Sequence, residues 1–96
     1  MTTEGPNRYF RDIEEFVKVL SHAGFSLVRY SEEPRAFDNL YADFSNGQTT
    51  FRVVRDRSQW MVDGEKQLLE RYGLWKAFDD QQEFESALFR FAKEQV

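Results

Sequence analysis

The sequence predicts an α+β domain: a four-stranded antiparallel meander with helices packed on one face, in the order α-β-β-β-β-α-α. Three observations carry that expectation. An apolar stripe at helical spacing opens the chain and stops at Gly24. Asn46-Gly47 lies between two alternating apolar runs, a strong short-range hairpin signal. A second helical stripe, entered through Asp80, closes the chain.

The first helix is expected from about Arg8 to Ala23. Tyr9, Ile13, Phe16, Val17 and Leu20 form its apolar stripe, while Glu14, Glu15 and Lys18 lie off it. Gly24 suits the left-handed residue that ends a helix, and Phe25 is placed to pack back on Leu20. Residues 1–7 are polar, contain Gly5-Pro6, and are expected to be a disordered lead-in.

A strand is expected over 25–30, then a polar loop from Ser31 to Asn39 that contains Pro34. Residues 40–44 and 49–54 alternate on either side of the Asn-Gly turn. A two-residue turn pairs Ser45 with Gln48, Phe44 with Thr49, Ala42 with Phe51 and Leu40 with Val53. The large apolar residues then share one face, and Tyr41, Asp43, Thr50 and Arg52 share the other. A slip of one residue scrambles both lists.

The following turn has Arg57-Ser58 at its tip. Val53 then faces Val62, Arg55 faces Trp60, Val54 faces Met61 and Arg52 faces Asp63. The last pair is an opposite-charge match of the kind a sheet face favours. Gly64 ends the sheet. A short helix from Glu65 to Tyr72 turns Leu68, Leu69 and Tyr72 inward, and Leu74 behind Gly73 packs on Leu69. Trp75 and Phe78 occupy the link. The last helix runs to about Glu94 with Phe84, Ala87, Leu88 and Phe91 on one face. Phe89 and Val19 lie off their stripes, which asks for a second packing contact or a dimer contact.

Ninety-six residues make one domain, 1–96. Ten Phe, four Tyr and two Trp give this short chain large rings with which to build a core. A net charge of −4 argues against nucleic acid, whose binders need a basic face, and against anionic membranes. No Cys is present, so disulfides, thiolate metal sites and cysteine nucleophiles are excluded. A polar start and the lack of a membrane-length apolar run set the expectation of a cytoplasmic protein.

Reactive constellations are sparse, and no cofactor is expected. His22 is the single histidine, placed where a cation suits a helix C-terminus. Glu14-Glu15, Glu32-Glu33 and Asp79-Asp80 are adjacent pairs whose side chains point apart, unlike carboxylates held across a substrate. The glycines have neither dinucleotide nor P-loop spacing, and no serine sits in a nucleophile elbow.

The candidates that remain are for binding. Tyr41, Arg52, Val54 and Met61 are expected together on the outer sheet face, and aromatic, Arg and Met residues are enriched at interfaces. Arg55 and Arg57 flank Asp56 at the strand turn, with Trp60 after them. Such a turn suits a bidentate grip on a carboxylate or phosphate, although Asp and Ser also serve a turn by themselves.

The stretch from Phe51 to Trp60 and the tail from Gly73 to Asp80 resemble small bacterial domains of unknown function. The predicted layout is similar to that of immunity proteins of bacterial toxin systems. That resemblance implies binding of a protein through an exposed patch, with no catalytic group. The expected function is therefore a small non-catalytic binding domain with a protein partner. Two alternatives stand beside it. One is a small-molecule binder or enzyme with a pocket between sheet and helices, walled by Trp60, Trp75 and Tyr72 and using Arg55 or Arg57 as an anion anchor. The other is a structural homodimer joined through the sheet face or an edge strand.

Overall fold

A computed structural model of the chain describes residues 8–33 and 39–95, with the side chains of 8–12 and 33 left out of that description. The order is α1 (Arg8–His22), β1 (Ser26–Glu33), β2 (Asn39–Ser45), β3 (Thr50–Asp56), β4 (Gln59–Asp63), α2 (Lys66–Arg71) and α3 (Gln81–Lys93). The strands form one antiparallel sheet in the order β1-β2-β3-β4. The α+β class and the α-β-β-β-β-α-α order are those the sequence predicts. The lead-in over 1–7, most of the expected polar loop and the side chain of Tyr9 lie outside the described residues.

Two helices end as the glycine pattern requires. After α1, Phe25 N–H donates to the Leu20 carbonyl and Gly24 N–H to that of Ser21, with Gly24 at φ +89°. After α2, Leu74 N–H donates to Leu69 and Gly73 N–H to Glu70, with Gly73 at φ +71°. Each is a Schellman end, and its trailing residue, Phe25 or Leu74, is buried in the core. At the start of α3 the Asp80 side chain accepts from Gln82 N–H. It thereby satisfies a donor that the helix itself leaves unpaired.

The sheet departs from expectation at two places. β1 continues to Glu33, so Ser31 and Glu32, expected in a loop, pair with Tyr41 and Leu40. Polar residues there reflect an edge strand with a solvated side, which a polarity count reads as loop.

The β2–β3 register is also two residues away from the predicted one. Phe44 faces Phe51, Ala42 faces Val53 and Leu40 faces Arg55. Asn46 to Thr49 therefore form a four-residue loop, closed by Asn46 N–H donating to the Thr49 carbonyl. The Asn46 side chain accounts for the difference. Its Oδ1 accepts from Gln48 N–H at 2.9 Å and Thr49 N–H at 2.7 Å, building an Asx turn in place of a primed one. Only Gly47, at φ +94°, has positive φ there. Because the shift is even, every side chain keeps its predicted face.

The β3–β4 hairpin follows the predicted register: Arg52 with Asp63, Val53 with Val62, Val54 with Met61 and Arg55 with Trp60. Its tip residues Arg57 (φ 53°) and Ser58 (φ 73°) both have positive φ. That is the primed geometry of two-residue hairpins, achieved here without glycine.

The helices bury the sheet's inner face. Phe16 of α1 meets Trp60 at 5.3 Å and Phe84 of α3 at 6.1 Å. Phe51 touches Phe25, Phe44 and Phe91. Phe89, off the stripe of α3, reaches Phe16 at 5.9 Å, so an internal contact explains it. No buried polar or charged residue interrupts this core among the described residues.

Candidate functional site

With one face under helices, the outer face keeps what alternation places there. Register stacks these residues into two rows that cross the sheet. One row is Arg29, Asp43, Arg52 and Asp63, alternating in sign from β1 to β4. The other is Ser31, Tyr41, Val54 and Met61. Four of the residues singled out from sequence, Tyr41, Arg52, Val54 and Met61, thus meet on one surface.

The charged row is internally matched. Arg52 Nε donates to Asp43 Oδ1 at 2.7 Å and its Nη2 to Oδ2 at 3.2 Å, a bidentate pair. The same guanidinium lies 4.2 Å from the centroid of the Tyr41 ring. The hydrogen bond that Arg52 donates to Asp43 is the main reason the Arg52 pKa is raised, and Asp63 adds to it. Arg52 therefore packs over the Tyr41 ring with its charge already engaged by Asp43. The two-residue register sets Asp43 opposite Thr50, which hides this pair from a sequence reading.

The apolar row is flanked by two depressions that share Val54. One, of about 200 Å³, is lined by Ser31, Asn39, Leu40, Tyr41, Val54, Arg55 and Asp56. The other, of about 360 Å³, lies between β4 and the segment 75–77, with Val54, Met61, Asp63, Trp75 and Lys76 among its walls. Trp75, expected in the link and as a wall of the alternative small-molecule pocket, is 44% exposed, unusual for so large a ring. A bulky aromatic just past a helix-ending Gly-Leu pair was the available signal.

The remaining predicted residues go elsewhere. Trp60 is 2% exposed and stacks on Phe84 at 5.5 Å, on the inner face. Tyr72 packs on Phe91 and donates from its hydroxyl to Glu94. Trp60, Trp75 and Tyr72 therefore do not wall a common cavity. Arg55 projects inward, its guanidinium 5.7 Å from the Trp60 ring centroid. Arg57 sits exposed at the turn, 3.9 Å from Asp56 Oδ1, and its N–H donates to Asn39 Oδ1. The two arginines do not converge on one anion.

No cluster of three or more His, Cys, Asp or Glu side chains is placed to hold a metal among the described residues. None of the described helices is long and apolar enough to cross a membrane. Comparison with protein-family models, curated proteins and solved structures finds no match to this chain.

Proposed function

We propose that this chain is a non-catalytic binding domain that engages a protein partner through the outer face of its sheet. One observation carries the reading: Tyr41, Val54 and Met61 line up across three strands, with Trp75 standing exposed beside them. A sheet face with no partner to meet is stable with polar residues throughout, and its rings and thioether add nothing to a core on the opposite side. The matched charges beside the row suit a partner that meets apolar surface at the centre and polar groups at the rim.

An immunity-type role, in which this face occludes a bacterial toxin, is the specific form that the resemblance in sequence and layout supports.

The test is comparative capture. Immobilised native chain and a Val54→Glu variant are exposed to the same extract, with Lys93→Ala on the helical side as the control. A protein retained by native and control chains and lost with Val54→Glu supports the face. Equal retention by all three sinks it, provided the variant's circular dichroism spectrum and melting midpoint match native.

A further inference from the structure

Among the described residues, backbone pairing covers the outer edge of β4 at one position. Trp60 N–H donates to the Phe78 carbonyl and Phe78 N–H donates to that of Trp60, each at 2.8 Å, in an isolated antiparallel bridge. Backbone groups alternate in direction along a strand. With Trp60 turned outward, Val62 is turned outward too, while Met61 and Asp63 turn toward β3. Segment 75–77 diverges from the strand just there, opening the 360 Å³ groove, and Val62 is one of its walls. Among the described residues no hydrogen bond is made to the Val62 N–H or carbonyl from that side.

The groove combines three recognition elements. Val62 offers a donor and an acceptor at the spacing of a strand. Val54, Met61 and Trp75 offer an apolar bed. Lys76 is one of its walls, with Nζ 4.7 Å from the Phe78 ring centroid, and Lys66 Nζ lies 5.9 Å from the centroid of the Trp75 ring that lines it. Neither lysine has a carboxylate within ion-pair distance among the described residues. Asp63, which stands opposite Arg52, is a further wall of the groove, so a carboxylate is favoured only where it reaches a lysine and stays clear of Asp63.

We infer that this groove receives a short extended segment of the partner protein that alternates aliphatic and acidic residues and adds to the sheet at Val62. Main-chain bonds to Val62 continue the pairing that Phe78 begins, an aliphatic side chain settles between Met61 and Trp75, and carboxylates meet Lys66 and Lys76. This rests on the sheet-face reading and names the chemistry of what that face takes.

The probe is a capped hexapeptide of alternating glutamate and valine, compared with its lysine–valine counterpart. Both are titrated into isotopically labelled native chain, following amide and indole resonances. Saturable shifts at the Val62 amide and the Trp75 indole, with the glutamate peptide only, are expected. Lys66→Glu combined with Lys76→Glu weakens that binding by about ten-fold. N-methylating the central valine of the peptide abolishes it, a control that leaves the protein unaltered. Equal shifts with the lysine peptide, indifference to N-methylation, or no saturable shift at Val62 overturns the inference. Shifts confined to Tyr41 and Val54 overturn it while leaving the sheet-face reading intact.

Discussion

Trp60 and Phe78 pair backbone to backbone across the edge of β4, and both rings sit edge-on or stacked against Phe84. One residue of the α2–α3 link thus closes part of an open sheet edge and plugs the core. Phe78 is 5% exposed. Phe78→Ala leaves a ring-sized void that backbone pairing holds open, at a cost of about 3–5 kcal/mol. Urea unfolding followed by tryptophan fluorescence measures it. A loss below about 1 kcal/mol places the ring outside the core.

Arg57 and Ser58 occupy left-handed conformations that cost an ordinary side chain on the order of 1 kcal/mol each. Ser58→Gly removes that cost at the second position while keeping the turn geometry. The urea midpoint is expected to rise by the equivalent of about 0.5–1 kcal/mol with an unchanged m-value. An unchanged or lower midpoint means that the serine side chain supports the turn.

Asp43 and Arg52 are partly exposed, so solvent screens their attraction, but bidentate geometry recovers part of it. Asp43→Asn is expected to destabilise by about 1 kcal/mol. The gap between native and variant narrows in 1 M salt, where the screening length is about 3 Å. A gap that salt leaves untouched means the neutral hydrogen bonds suffice.

Much of this framework is legible in the sequence because spacing and facing depend on the same residues. Phe44 and Phe51 land on one side whether the Asn46 turn has two residues or four, so the core list survives a wrong register. The Asp43–Arg52 pair does not survive it, since pairing depends on which residues stand opposite. Asn46 decided that outcome through side-chain bonds to its own loop, a choice between turn types that Asn-Gly alone leaves open. The Phe78 bridge and the Trp75 groove were hidden for another reason. A one-residue bridge has no periodicity, and a groove exists only once distant segments are brought together.

Tyr30 and Tyr72 give the fold an alkaline limit. Burial first, then the hydrogen bond to Glu32, pushes the Tyr30 hydroxyl well above its ordinary value of 10.0. The hydrogen bond to Glu94 raises Tyr72. Both groups hold their protons longer folded than unfolded. Their stabilisation is complete below about pH 10 and is lost as pH rises through the folded values. The melting midpoint is expected to fall more steeply above about pH 10 in the native chain than in Tyr30→Phe. Parallel profiles remove Tyr30 from the account.

The two tryptophans stand in opposite environments. Trp60 is enclosed at 2% exposure, and Trp75 stands at 44% on the rim of the groove. Trp60→Ala therefore costs about 3–5 kcal/mol, whereas Trp75→Ala, which removes a ring already 44% exposed, costs about 1–2 kcal/mol. Emission follows the same division. Acrylamide quenches the Trp75 component, and Trp75→Phe leaves a single blue-shifted, shielded band from Trp60. A partner seated against Met61 and Trp75 shields the second component as well, so native emission shifts blue on binding while that of Trp75→Phe stays fixed. Binding that shifts Trp75→Phe as much as native moves the contact away from this groove.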